Sequence, residues 1–231
     1  MKNTSRHACA SSLTTLIAIS LGACSTMPPR AADVSEAVQA QHWRCGEMLL
    51  ESQNVDEALI LRLPGGDHRL TPEAAASGAR YSNADGVRFW SKGSDEALLW
   101  RDAEAAPLDC RPSEQRSPWL QAQSEGVRLR ATGNEPGWLL EAHADGSLVL
   151  WLDYGQRRLS LATEQPLTGP GLYTAKSGAS DRELTIEVMK RACTDSMSGT
   201  RFPLQLRVLR EDASPLEGCG RAYAAARNAG A

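Results

Sequence analysis

Trp138-Leu139-Leu140-Glu141-Ala142-His143-Ala144-Asp145-Gly146-Ser147-Leu148-Val149-Leu150-Trp151 is the stretch on which the fold turns. Two apolar runs flank Ala144-Asp145-Gly146, and an Asp-Gly pair supplies the left-handed backbone that tight hairpin loops need. The stretch therefore predicts two antiparallel strands, with His143 a strand or turn residue rather than a base. Outward from it the same texture recurs. Val127-Arg128-Leu129-Arg130-Ala131 alternates apolar and polar residues, as does a half-buried strand. Arg158-Leu159-Ser160-Leu161, Glu183-Leu184-Thr185-Ile186-Glu187-Val188 and Leu204-Gln205-Leu206-Arg207-Val208 continue it. No pattern supports a long amphipathic helix, and no exact internal repeat is present.

The upstream half reads the same way. Glu57-Ala58-Leu59-Ile60-Leu61-Arg62-Leu63 runs into the turn signal Pro64-Gly65-Gly66-Asp67, and Val87-Arg88-Phe89-Trp90 follows the turn Asn83-Ala84-Asp85-Gly86. Glu96-Ala97-Leu98-Leu99-Trp100 is a further strand. Short strands at regular spacing with polar turns predict an all-β chain. A small antiparallel β-barrel is expected over residues 41–111, and a second small antiparallel β domain over 124–223. Residues 112–123, rich in Pro, Ser, Glu and Gln, read as a linker, and 224–231 as a tail.

The chain has 231 residues and a formal net charge of −3. No basic tract occurs, so no nucleic-acid partner is expected. Cys9 and Cys24 fall in the leader discussed below, which leaves Cys45, Cys110, Cys193 and Cys219. An even number in an exported chain points to disulfides, and four cysteines allow three pairings. With two domains, Cys45–Cys110 and Cys193–Cys219 is the only pairing that keeps each bridge local. The rival reading, a metal site, lacks any Cys-x-x-Cys, and the four His are scattered. No Ser/His/Asp order, zinc motif or phosphate loop is visible, so neither a cofactor nor an enzymatic activity is expected.

Lys2 and Arg6 precede an apolar run from Leu13 to Leu21 that is shorter than the roughly 20 residues a membrane span needs. A basic start, a short apolar core and small residues before a cut site predict an export signal over residues 1–24. Leu21-Gly22-Ala23-Cys24 resembles a bacterial lipobox, which implies diacylation of Cys24 and attachment to a membrane through that lipid. Several acyl chains anchor a protein stably where one does not. Ser25 follows, and by resemblance to enterobacterial lipoproteins it favours the outer membrane, facing the periplasm. Residues 25–40, rich in Pro, Ala and Ser, read as a tether.

Two loops carry the functional expectation. Ser77-Gly78 supports a tight loop that exposes a small hydroxyl. Ser91-Lys92-Gly93 presents an ammonium at a second loop tip, with Phe89 and Trp90 expected to anchor its base. A hydroxyl and an ammonium on neighbouring loops suit a site that holds carboxylates. The commoner meaning of such residues is a turn Ser and a solvated Lys.

Trp43-Arg44-Cys45, the apolar run to Leu63, Ser77-Gly78-Ala79-Arg80-Tyr81, Phe89-Trp90-Ser91-Lys92-Gly93, Glu96-Ala97-x-Leu99 and Cys110 together resemble the membrane-bound C-type lysozyme inhibitor family, MliC. The resemblance implies a small antiparallel barrel whose loops enter the lysozyme cleft. It implies that Ser77 and Lys92 meet the catalytic carboxylates, with Gly78 and Tyr81 in the same binding surface. A retaining glycosidase needs one carboxylic acid and one carboxylate across the scissile bond. A hydroxyl and a cation between them block substrate and disturb both ionisation states.

Gly133-Asn134-Glu135-Pro136-Gly137-Trp138, Cys193-Thr194-Asp195-Ser196-Met197-Ser198-Gly199, Phe202-Pro203 and Gly218-Cys219-Gly220 resemble an uncharacterised bacterial envelope domain. Asn134, Glu135 and Asp195 are candidates for a polar site there, and equally for capping turns and tying loops. Two other functions compete with inhibition: a structural or ligand-binding envelope lipoprotein, and a hydrolase using Glu135 and Asp195.

Overall fold

The computed structural model describes residues 40–178, 183–211 and 213–224, all within one compact unit, Ala37–Ala231. The expected export signal, the expected lipid attachment at Cys24 and nearly all of the tether and tail lie outside the described residues.

The first eight strands are β1 (Gln41–Cys45), β2 (Met48–Val55), β3 (Ala58–Leu63), β4 (Gly66–Glu73), β5 (Ala79–Ser82), β6 (Arg88–Ser91), β7 (Ala97–Trp100) and β8 (Leu108–Pro112). Each pairs with the next, and β8 returns to β1 to close an antiparallel barrel. Closure leaves no unpaired sheet edge. Alternation decides what fills the interior: Leu59, Leu61 and Leu63 of β3 point inward, while Arg62 reaches outward to Glu51 at 2.6 Å. Trp43 packs edge-on against Phe89, with ring centroids 5.5 Å apart. Its buried indole N–H is satisfied by the Ser52 hydroxyl at 2.8 Å. Cys45 and Cys110 face each other across the β1–β8 seam and are disulfide-bonded. In the chain-entropy account a loop of that length contributes about 4 kcal/mol.

A short helix, α1 (Pro118–Ser124), lies where a linker was expected. Ser117 sits at its N-cap and Pro118 at its first position, an arrangement that starts helices. Gly126, at φ +87°, follows its end in the left-handed conformation usual just past a helix C-terminus. Trp119 holds it down by stacking on Phe202 at 4.6 Å.

The second barrel contains β9 (Val127–Asn134), β10 (Gly137–His143), β11 (Ser147–Leu152), β12 (Arg157–Thr163), β13 (Gly171–Lys176) and β14 (Glu183–Met189). A two-stranded ribbon, β15 (Cys193–Thr194) and β16 (Arg201–Phe202), interrupts it before β17 (Leu204–Arg210) and β18 (Ala213–Ala222). β18 pairs with β9, closing a second eight-stranded antiparallel barrel. The hairpin read from Trp138 to Trp151 is β10–β11, with Gly146 at φ +85° in its loop. Cys193–Cys219 ties the ribbon to β18. Both disulfides therefore follow the local pairing.

The barrels touch through one end of the first. In a barrel of sequentially paired antiparallel strands, alternate connections fall at opposite ends. The β3–β4 turn packs Gly65 against the Arg201 carbonyl, leaving no room for a Cβ. Arg101, after β7, donates to the carbonyls of Ser198 and Gly199 at 3.3 and 3.1 Å. Arg221 of β18, only 6 % exposed, donates to the Leu63 carbonyl and to Asp67, both at 3.1 Å. The β4–β5 and β6–β7 loops lie at the opposite end of that barrel, away from the second.

Candidate functional site

The loop between β4 and β5 carries Ser77 and Gly78, and the loop between β6 and β7 carries Lys92 and Gly93. β5 and β6 are paired, with Ala79 opposite Ser91, so the two loops are neighbours by register. Ser77, Gly78 and Lys92 are all exposed.

Trp90 joins the two loops. It alternates with the buried Phe89 and so faces outward from β6. Its indole N–H donates to the Ser77 carbonyl at 2.9 Å. Lys92, two residues on and therefore on the same face, holds its ammonium 4.6 Å from the Trp90 ring centroid. A cation over an exposed indole is worth about 0.5–1 kcal/mol. One side chain thus fixes a hydroxyl-bearing loop by its edge and an ammonium by its face. Gly78 makes the close approach possible. Its φ is +69°, and a Cβ there would strike the Ser91 carbonyl and come within 3.0 Å of the Trp90 indole nitrogen.

The β6–β7 loop is braced on both sides. The Lys92 N–H donates to the Glu96 carbonyl at 2.8 Å, Gln41 donates to the Ser94 carbonyl at 2.7 Å, and Arg111 pairs with Glu96 at 2.6 Å. No ion pair to Lys92 occurs among the described residues. The arrangement offers an exposed, unneutralised ammonium beside an exposed hydroxyl, a combination that recognises carboxylates.

Tyr81 stands apart from this pair. It lies two residues further along β5, half-buried against the barrel core, with its hydroxyl 3.4 Å from the Asn54 side-chain oxygen. Phe89, expected to help anchor the loop, is a core residue at 1 % exposure. Of the two aromatic residues, Trp90 is the one that contacts both loops.

In the second barrel Asn134 and Asp195 come together and Glu135 does not join them. The Asp195 carboxylate accepts from the Ser198 N–H and hydroxyl, each at 2.7 Å, and from the Asn134 amide at 2.8 Å. Burial alone would raise its pKa. The hydrogen bonds from Ser198 and Asn134 outweigh that and hold it below the ordinary Asp value. These contacts make Asp195 the pin of the Cys193–Thr200 turn. Glu135, in the exposed β9–β10 turn, makes no hydrogen bond or ion pair among the described residues. His143 ends β10, and its carbonyl accepts from Gly146. Among the described residues no group of three His, Cys, Asp or Glu is placed to hold a metal ion.

Sequence reasoning missed Tyr154, in the β11–β12 turn. It is 76 % exposed and has a positive φ, features of backbone conformation that its local sequence does not announce.

The fold and this pair of loops define a two-barrel protein whose first barrel presents an exposed hydroxyl and an exposed ammonium on neighbouring loops. Residues 43–107 match the family model described as membrane-bound lysozyme-inhibitor of c-type lysozyme, MliC. The first barrel is similar to that family from within β1 to the connection before β8, and both Ser77 and Lys92 fall inside the match. No curated protein and no solved structure gives a match to the chain.

Proposed function

We propose that this chain is a lipid-anchored envelope protein that inhibits C-type lysozyme. The β4–β5 and β6–β7 loops enter the lysozyme cleft, and the Ser77 hydroxyl and Lys92 ammonium engage the two catalytic carboxylates. The observation that carries the reading is the joint fixing of Ser77 and Lys92 by Trp90, on the end of the barrel that the second barrel leaves uncovered. A site fixed before binding loses less freedom when it binds. Gly78 lets the first loop turn across Trp90, and Tyr81 supports β5 beneath it.

Charge favours the encounter. Between Gln41 and Arg111 twelve Asp and Glu stand against eight Lys and Arg. C-type lysozymes are commonly basic, so long-range attraction speeds association. Attachment is through the lipid on Cys24, in the outer membrane and facing the periplasm. The inhibitor has no catalytic role of its own and needs no cofactor.

Competition tests cleft entry. The protein from Ser25 onward is titrated into lysozyme whose cleft is already saturated with an oligosaccharide. The apparent affinity should fall in proportion to cleft occupancy. Unchanged affinity would place the contact elsewhere on lysozyme.

A further inference from the structure

A groove of about 450 Å³ lies on the second barrel, lined by Trp138, Trp151, Tyr154, Leu139, Asn134 and Met197. Tyr154 and Met197 are 76 % and 79 % exposed, so two of the large apolar residues most open to solvent flank one groove. Clustered exposed apolar side chains mark a binding surface where scattered ones do not.

The tyrosine is held in place rather than free. Asp153 and Tyr154 have φ of +53° and +56°, a region that ordinarily favours glycine. The Tyr154 ring lies across Gly137, whose missing side chain makes room for it. Its N–H donates to the Gly137 carbonyl at 3.0 Å and its hydroxyl to the Asn134 carbonyl at 2.9 Å. With its polar tip spent on the backbone, what remains for a ligand is the ring face. Asp153 and Tyr154 are the centre of the β11–β12 hairpin turn, closed by the Gly155 N–H on the Leu152 carbonyl at 3.0 Å, and that turn aims the ring at the groove.

The lining contains no charged side chain. The Asn134 amide N–H groups are committed to Asp195 at 2.8 Å and Ser196 at 3.0 Å, which leaves its side-chain oxygen as an acceptor. Aromatic faces, a neutral lining and a fixed acceptor suit a neutral ligand with an apolar face and hydroxyl or amide donors at its rim. Through Asn134 and Met197 the groove runs into the cleft between the barrels. Ser117 lines that cleft at 1 % exposure, and its hydroxyl has no partner among the described residues. A buried hydroxyl without a partner is a place for a ligand's polar group.

We propose that this groove and its continuation bind a neutral saccharide chain, one ring stacked on Tyr154 and a later unit reaching Ser117. The site is separate from the Ser77–Lys92 loops.

The test is calorimetric titration of the protein from Ser25 onward with tetra-N-acetylchitotetraose, cellotetraose, maltotetraose and the corresponding disaccharides. A decaproline peptide serves as the competing aromatic-groove ligand. Tyr154→Gly removes the ring and its bond to the Asn134 carbonyl while relieving the left-handed backbone, so the two effects offset and its melting temperature should change little. Binding of at least one tetrasaccharide should be saturable, and about tenfold weaker in Tyr154→Gly. Ser117→Ala, which removes no hydrogen bond of the fold, should weaken the tetrasaccharide and spare the disaccharide. No sugar binding by the folded parent, binding unaltered in Tyr154→Gly, or preference for decaproline overturns the proposal. Equal effects of Ser117→Ala on both sugar lengths overturn the extension into the cleft.

Discussion

Removing Trp90 should loosen the β4–β5 and β6–β7 loops at once, and the size of the effect follows from its two contacts. The indole N–H to the Ser77 carbonyl, at 2.9 Å, is a half-exposed neutral hydrogen bond worth about 1 kcal/mol. The ring under the Lys92 ammonium adds about 0.5–1 kcal/mol. If both act by holding the loops in their bound geometry, Trp90→Ala forfeits about 1.5–2 kcal/mol, roughly 10- to 30-fold in the inhibition constant. Trp90→Phe keeps a ring beneath Lys92 and loses only the hydrogen bond, so it should cost about fivefold. The assay is inhibition of lysozyme hydrolysis of cell walls by parent and variants, paired with amide exchange. Exchange at residues 74–78 should quicken in both variants, while the β1–β8 ladder keeps its protection. A folded Trp90→Ala protein that inhibits within about twofold of the parent would refute the reasoning, because the loops would then need no anchor.

Two further predictions concern the join between the barrels. Arg221→Ala leaves the Leu63 carbonyl without its guanidinium donor, while Asp67, partly exposed, rehydrates. The loss should be about 2 kcal/mol, read as a lower urea midpoint; a change under about 0.5 kcal/mol would contradict it. His68 has a pKa lowered from 6.5, chiefly by burial and against the pull of Asp85 and Asp67, with Arg221 adding to the lowering. Its folded pKa lies below the unfolded one, so the unfolded chain binds more protons between the two values. The contribution of neutral His68 is complete above about pH 6.5 and declines as pH falls from there toward the folded pKa. Melting temperature measured from pH 7.5 to 5 should fall less in His68→Gln than in the parent. Parallel curves would show that His68 titrates alike in both states.

The strands most legible in the sequence are those whose buried positions alternate. β9 reads Val127, Leu129, Ala131 inward with Arg128 and Arg130 between, and its burial follows suit. β13 escaped notice because Ala175 is its only buried residue, so no apolar period exists to read. β18 was hidden by Pro215, Gly218 and Gly220, residues depleted from strand interiors. Its glycines have a packing reason. A side chain at Gly218 or Gly220 would collide with β9, and the Gly218 position is also crossed by the Trp138 ring. α1 was read as linker because its seven residues are too few to show a helical period.

At the candidate site, Ser77 and Lys92 were legible as a hydroxyl and an ammonium on neighbouring loops, and the side chain that joins them was not. Adjacency comes from the β5–β6 register and from the outward turn of Trp90. The period of two could have separated Phe89 from Trp90, since consecutive strand residues face opposite sides. Asp195 was left open between a polar site and a loop tie. Its three hydrogen bonds favour the tie.

The most direct test of the central reading is the inhibition of a C-type lysozyme by the protein from Ser25 onward, alongside Ser77→Ala and Lys92→Ala. Both side chains are exposed, and the Lys92–Trp90 contact is the largest one lost, so neither variant should lose more than about 1 kcal/mol of stability. Strong inhibition by the parent, sharply weakened in each folded variant, is the expected result. A folded parent that fails to inhibit any of several C-type lysozymes, or variants that inhibit as well as the parent, would contradict it.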